Sequence, residues 1–422
     1  MNEITRSESV AATAKGGVAF EQLEAFVRQQ AQGMIQRILE EEVEELLGRV
    51  KSQRLAPDAP TGYRNGHGRE RELSTSFGTI AVRRPRVRNT QDHFESRVLP
   101  LFKKRTQEVG ETLPNLYLHG LALGDFELAL RGLLGDGAPL SASSIARMRL
   151  DWLTEYDEWR RRPLNETVIA YLWVDGIYVK AGLEKDKACL LVAIAGLIDG
   201  SKVVLAVESG MRESEASWGS LLRSLRERGM RSPRLVVGDG ALGIWAALNN
   251  VYPEASQQRC WNHRMRNVLD CVGKKKQAQA KKLLTNVMYA PTEKQAVEAR
   301  DVFQKWVREQ QYPKAAERIE QDWDRMVAYY SLPKEHWVHL RTTNIVESPF
   351  ASVRLRTAAS KRYKKVDGAT AMLWKLLLVA QQTFRKLNAP ELMMKVCATF
   401  EFKDGIEVEQ KVSPPREYKQ AA

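Results

Sequence analysis

The stretch Tyr171-Leu172-Trp173-Val174-Asp175-Gly176-Ile177-Tyr178-Val179-Lys180 constrains the fold more than any other part of the chain. β-Branched and aromatic residues occupy both parities, whereas a half-exposed strand would alternate apolar with polar. The strand is therefore covered on both faces, as in a sheet sandwiched between helices. Asp175 is the exception. An unpaired carboxylate buried there would cost several kcal/mol. Two readings remove that cost: backbone amides or an arginine satisfy the group, or it ligates a metal ion.

Residues 188–198 and 202–208 read as two further strands joined by an Asp199-Gly200 turn. Residues 214–229 form an amphipathic helix with Trp218, Leu221, Leu222 and Leu225 on one face. A fourth strand, Arg234-Leu235-Val236-Val237-Gly238-Asp239-Gly240, stops at a second aspartate; a helix over 242–250 and a fifth strand near 256–260 follow. Three antiparallel strands, then strands reached through helical crossovers, make an α/β fold with a mixed five-stranded sheet. Functional groups in such sheets collect at strand ends, which sets Asp239 beside Asp175. Two adjacent carboxylates repel unless a divalent cation lies between them, and Mg²⁺ favours one or two carboxylates completed by water and phosphate.

Residues 264–340 are helical throughout and read as an all-helical insertion into the sheet domain. Its clusters Lys274-Lys275-Lys276 and Lys281-Lys282 either bind phosphate or are solvated, and Trp306, Trp323 and Trp337 read as core ahead of base-stacking platforms. A cation-rich helix follows, with Arg354, Arg356, Lys361, Arg362, Lys364 and Lys365, and Glu347 stands near its start. Asn344-x-x-Glu347 has capping-box spacing, so Glu347 either ties down a helix start or supplies the third carboxylate of a two-metal site. The apolar helix over 369–387 packs on the sheet.

Ahead of the sheet, residues 20–50 form one long helix with an acidic run, Glu40, Glu41, Glu42, Glu44 and Glu45, that would repel DNA. This helix reads as one that pairs with another, across a dimer or within its own chain. A Gly- and Pro-rich loop leads to a hairpin over 72–87, ending in Arg83, Arg84, Arg86 and Arg88, which lie along phosphates or form a solvated edge. Three helices over 106–159, the last capped at Ser141-Ala142-Ser143-Ser144 and carrying Arg147 and Arg149, fit a helix-turn-helix with its third helix in a major groove.

The formal charge of +13, from 65 Lys and Arg against 52 Asp and Glu, favours a polyanionic partner, nucleic acid ahead of a membrane surface. The apolar run 188–198 is too short to span a bilayer and residues 1–20 are too polar for a signal peptide, so a cytoplasmic protein is expected. Four cysteines with no CxxC pair indicate reduced thiols.

Five short motifs, in order, resemble the mutator-type transposases of bacterial insertion sequences, within the DDE group. They are Thr61-Gly62-Tyr63-Arg64-Asn65-Gly66, Arg162-Pro163-Leu164 leading into the Asp175 strand, Leu235-Val236-Val237-Gly238-Asp239-Gly240, Gln258-Arg259-Cys260-Trp261-Asn262-His263-Arg264-Met265-Arg266-Asn267, and Arg341-Thr342-Thr343-Asn344-Ile345-Val346-Glu347-Ser348. The resemblance implies a ribonuclease-H-like core with a helical insertion and an N-terminal helical DNA-binding region. It implies Asp175, Asp239 and Glu347 as the catalytic, metal-binding triad, with two Mg²⁺ ions for which Mn²⁺ substitutes. His263, of the Cys260-x-x-His263 pair, is then a catalytic-site residue donating to a phosphate, with Cys260 as packing; two ligands without a second pair argue against zinc. Ser348-Pro349-Phe350 departs from the more polar, basic stretch of many relatives.

The partners implied are double-stranded DNA, as terminal inverted repeats and target, and a second copy in a homodimer, at the nucleoid and without a membrane. Candidate DNA contacts are Arg83, Arg84, Arg86, Arg147, Arg149, Arg264, Arg354, Arg356, Lys361 and Arg362. The expected divisions are an N-terminal helix for oligomerisation (1–60), a basic hairpin segment (61–100), a helix-turn-helix-like region (101–160), the catalytic core in two parts (161–263 and 341–390) around the insertion (264–340), and a C-terminal tail (391–422). A catalytically inactive DNA-binding relative and a nuclease or resolvase on the same scaffold are the competing classes.

Overall fold

The computed structural model describes residues 22–54, 61–90, 94–100 and 142–408 except 183–186, 241 and 360–361, with isolated positions between 101 and 141. The chain divides into two compact units, 1–146 and 147–422.

In the first unit, α1 (Leu23–Leu47) ends where Gly48 turns left-handed and returns its amide to the Glu45 carbonyl. The hairpin β1 (Tyr63–Thr75) and β2 (Gly78–Arg88) begins nine residues before the expected 72, because Gly66 and Gly68 lie within β1, between Arg64 and Glu70, where the pairing register shifts twice. Leu39 of α1 packs with Leu73, Ile80, Val82 and Leu99. The acidic run does not form a free solvated face. Glu40 pairs with Arg64 and His67, Glu44 with Arg64, and buried Glu42 accepts from the Ser96 hydroxyl and the Arg97 and Val98 amides. Of the two readings of this helix, packing within its own chain is the one observed over its C-terminal half.

In the second unit, β3 (Ile169–Val179), β4 (Ala188–Leu197), β5 (Lys202–Gly210), β6 (Leu235–Gly238) and β7 (Ser256–Arg259) form one mixed sheet in the order β5-β4-β3-β6-β7. β4 is antiparallel to both β3 and β5, and β6 and β7 run parallel to β3. Four strands therefore point the same way, and their carboxyl ends share one edge.

The crossover helices α3 (Glu215–Glu227) and α4 (Leu242–Val251) cover one face, burying Trp218, Leu221, Leu222, Ile244, Trp245 and Leu248 against Leu172, Val174, Leu191 and Val236. On the other face the Tyr171 hydroxyl meets His336 Nδ1 at 2.7 Å and the Trp173 indole donates to the His339 carbonyl at 2.9 Å. Both parities of β3 are thus buried. Ordering the side chains on two faces at once requires apolar residues at consecutive positions, which is what Tyr171 to Val174 supply.

The helical segment comprises α5 (Trp261–Leu269), α6 (Gln277–Met288), α7 (Glu293–Glu309), α8 (Pro313–Glu320), α9 (Trp323–Val327) and α10 (Trp337–Leu340). It starts directly after β7, with Trp261, Phe303, Ile319 and Trp337 buried. The chain returns to the sheet through α11 (Asn344–Glu347), turns at Pro349, and continues as α12 (Phe350–Ala359) and α13 (Val366–Gln381), the last lying against β5.

α2 (Ala142–Trp159), expected as the recognition helix of a helix-turn-helix, buries Trp152 and Tyr156, and the Tyr156 hydroxyl donates to the Val207 carbonyl of β5 at 2.6 Å. Its C-terminal half is thus fixed to the sheet. The two helices expected before it lie almost wholly outside the described residues. Residues 393–397 are helical and 402–403 pair with 406–407; the Lys334 amide donates to Gly405 and the Gly405 amide to Tyr330, tying part of the expected tail to the helical segment. Among the described residues no helix is long and apolar enough to cross a membrane.

Candidate active site

The carboxyl edge of the four like-directed strands gathers the acidic residues. β3 pairs with β6 through Tyr171 opposite Leu235 and Trp173 opposite Val237, so the same register carried two residues further sets Asp175 level with Asp239, one residue beyond β6. Gly240 then turns the chain back at φ +91°, where a side chain would strike the Arg259 guanidinium. Beyond β5, in the turn before α3, stands Glu213. One carboxylate oxygen each from Asp175, Glu213 and Asp239 lie within 4.8 Å of one another.

Burial, reinforced by the charges of Asp239 and Glu347, pushes the Asp175 carboxyl up from 3.8 to about 7, against the Gly176 amide that donates to its Oδ1 at 2.9 Å. Burial also raises the Glu213 carboxyl, with the Asp239 charge adding to it and the Tyr178 hydroxyl and His263 opposing. Such a cluster of hard oxygen donors, half-buried and mutually repelling, suits a divalent cation such as Mg²⁺.

Glu347 sits a few residues into the segment that follows the insertion, on α11, which packs against β3 and β4. Its amide donates to the Thr343 carbonyl and its carboxylate takes a very short hydrogen bond from the Thr343 hydroxyl. The capping-box reading does not hold: Thr343, not Asn344, precedes the first helical residue, and the carboxylate bonds a hydroxyl instead of a backbone amide. Ligand atoms of Glu347, Cys260 and His263 also lie within 4.8 Å of one another.

His263 Nδ1 is 3.8 Å from Glu347 Oε1. A hydrogen bond with Cys260, with help from the Glu347 and Asp239 charges, holds the imidazole up at about 9 despite burial. Cys260 is fully buried and its sulfur faces the Thr343 amide at 3.3 Å and hydroxyl at 3.2 Å, so it braces the Glu347 segment against the end of β7.

The structure thus brings Asp175 and Asp239 into one cluster and sets Glu347 and His263 beside it. Glu213 was missed in the sequence. The available signal was positional, because it follows the third strand as Asp239 follows the fourth.

The candidate DNA contacts fall into three groups. Arg83, Arg86, Arg147, Arg354 and Arg362 are exposed, and Arg84 and Arg149 are partly so. Arg83 pairs with Glu70, Arg84 lies over the Phe94 ring, and Arg362 donates to the Gly182 carbonyl. Lys361 lies outside the described residues. Arg264 and Arg356 are corrected: both are buried, at 0% and 2% exposure, and Arg264 donates to Asp322 at 2.8 Å and to the Arg318 carbonyl at 2.6 Å. Their place is inside the fold. Trp218, Trp245 and Trp337 are core as well.

Comparison with known proteins adds an independent line. The family model described as "Transposase, Mutator family" matches residues 2–386. The transposase for insertion sequence element IS6120 of Mycolicibacterium smegmatis is 42% identical over 309 residues, covering 73% of this chain and 95% of its own length. The transposase for element IST2 of Acidithiobacillus ferrooxidans is 39% identical over 282 residues, 66% of this chain and 94% of its own. The transposase for element ISRM5 of Rhizobium meliloti is 28% identical over 367 residues, 86% and 89% of the two chains. A match of this length, through the β3, β6, β7 and α11 segments that build the acidic edge, makes the chain a member of the Mutator family of transposases.

Proposed function

We propose that this transposase is a metal-dependent DDE enzyme on a ribonuclease-H-like sheet, which binds the terminal inverted repeats of an insertion sequence and catalyses DNA strand cleavage and strand transfer. The observation that carries the reading is the meeting of Asp175 and Asp239 at the carboxyl edge of the β5-β4-β3-β6-β7 sheet, with Glu347 near enough to bear on the ionisation of Asp175. Asp175, Asp239 and Glu347 would hold two Mg²⁺ ions, replaceable by Mn²⁺, which supply an activated water at neutral pH and offset charge on the phosphate.

The rest is done by the chain's own side chains. His263, set beside Glu347, donates a hydrogen bond to a phosphate oxygen brought to this edge. Thr343 holds the Glu347 carboxylate and is itself braced on Cys260, so the glutamate has a fixed place next to the two aspartates. Arg354 on α12 and Arg362 just beyond it are exposed and neutralise backbone phosphates, as do Arg83, Arg86 and Arg147. Water would attack the phosphodiester at the element's end, whose 3′-oxygen leaves as a hydroxyl, and that hydroxyl would then attack a target phosphodiester and displace the target strand's own 3′-oxygen, so no covalent enzyme intermediate is needed.

On this reading residues 161–263 and 341–390 are the catalytic core, 264–340 its insertion and 61–160 the end-recognition region, and the enzyme works as a homodimer. Incubating the full-length protein with a labelled element-end duplex and Mg²⁺ or Mn²⁺, then with a pre-cut end and target DNA, tests it. Nicking followed by joining is expected. Nicking without joining would make the protein a nuclease, and binding indifferent to EDTA with neither reaction would make it a DNA-coating relative.

A further inference from the structure

Glu213 belongs to no part of the triad, yet it occupies the place beside the two aspartates that Glu347 would be expected to fill. Its seat is built. A Cβ on Gly176, the residue after Asp175, would stand 2.6–2.7 Å from the Glu213 side chain, so the glycine is what lets the carboxylate approach β3. A Cβ on Gly243 of α4 would lie 2.4 Å from the Ser214 carbonyl carbon and the Glu215 amide, so the turn holding Glu213 is pressed onto that helix. Ser214 caps α3 by accepting from the Ser217 amide, which fixes the turn from the other side. The Tyr178 hydroxyl hydrogen-bonds the Glu213 carboxylate. Glu347, by contrast, is engaged by Thr343 and grouped with Cys260 and His263.

We infer that Glu213 is a metal ligand of this site: before DNA arrives, a divalent cation is held by Asp175, Glu213 and Asp239, and Glu347 is held aside. The inference rests on the metal-dependent reading above and adds a fourth carboxylate to it. Its chemistry is that of a hard cation taking a single oxygen from each of three half-buried carboxylates, the remaining positions being open to water or phosphate oxygens. Three like charges confined within 4.8 Å also destabilise the metal-free fold, so neutralising any one of them relieves repulsion.

Mn²⁺ titration of the full-length protein, without DNA, by calorimetry or by the loss of the free-ion paramagnetic resonance signal, tests it. Glu213→Gln is expected to weaken Mn²⁺ binding about tenfold or more, Asp175→Asn likewise, and Glu347→Gln by less than about threefold. Gly176→Ala, which keeps all four carboxylates but displaces Glu213, is expected to weaken binding in the same direction. In EDTA, Glu213→Gln should raise the melting temperature, whereas a residue that merely supports Tyr178 would lower it. Wild-type affinity in Glu213→Gln alongside lost affinity in Asp175→Asn overturns the Glu213 assignment and leaves the aspartate site standing. Wild-type affinity in Asp175→Asn overturns the site itself.

Discussion

Asp322 offers a test of what the arginines next to the CxxH motif are for. Its carboxylate accepts from Arg259 at 2.5 Å, Arg264 at 2.8 Å and Arg325 at 3.0 Å, so one anion compensates three guanidinium groups. Arg264 is fully buried and cannot find water instead. Asp322→Asn removes the charge with almost no change of shape, and asparagine tolerates the left-handed backbone observed there (φ 60°) as aspartate does. Breaking a buried ion pair by removing one partner costs about 3–5 kcal/mol. For a domain of this size each kcal/mol moves the melting temperature by about 2–4 °C, so a fall on the order of 10 °C is expected.

Differential scanning calorimetry of the wild type and Asp322→Asn measures it, and binding of an element-end duplex well below either transition shows whether DNA contact is affected. Arg264→Met should lose less stability than Asp322→Asn, because it removes a buried charge instead of stranding three. A fall under about 2 °C in Asp322→Asn, with DNA affinity lost in Arg264→Met, would refute the structural role of this cluster and return Arg264 to the DNA surface.

Two further outcomes follow from the same geometry. In EDTA the Asp175 carboxyl, at about 7 against an ordinary 3.8 because of burial and the charges of Asp239, Glu347 and Glu213, binds its proton more tightly in the folded than in the unfolded chain. Stability from this group is full below the unfolded value and lost as pH rises through the folded one, about 4 kcal/mol in all; Asp175→Asn should flatten the pH dependence of melting between about pH 4 and 7, and an unchanged slope would count against the cluster. Arg354→Ala, on an exposed helix position, should weaken duplex binding without shifting the melting temperature and lower the slope of log affinity against log salt by about one, which a salt titration reads directly.

Much of the sheet was legible because its signals are local. The double-parity apolar run of β3, the strand that halts at Asp239 and the Trp218 face of α3 each announce themselves within a dozen residues, and the observed bounds, 169–179, 235–238 and 215–227, fall close to the expected ones. The parts that were not legible depend on distant partners. Arg264 reads as a free cation until Asp322, 58 residues later, is folded onto it. The acidic run of α1 reads as DNA-repelling until Arg64 of the hairpin is seen to pair with Glu40 and Glu44. Gly66 and Gly68 read as loop because a bulged strand and a loop demand the same conformational freedom. Glu213 was hidden for a different reason: its place just after β5 gains meaning only once the shared direction of β3, β5 and β6 brings it to the aspartates.

The central claim, that acidic groups carried by strands far apart in the chain form one metal-dependent centre for cutting DNA, is tested most directly by strand cleavage. Asp175→Asn, Asp239→Asn and Glu347→Gln, each verified as folded, are incubated with an end-labelled inverted-repeat duplex and Mg²⁺, and nicked product is resolved on a denaturing gel. Cleavage should vanish in all three while duplex binding stays close to wild type; full cleavage by any one of them would contradict the account.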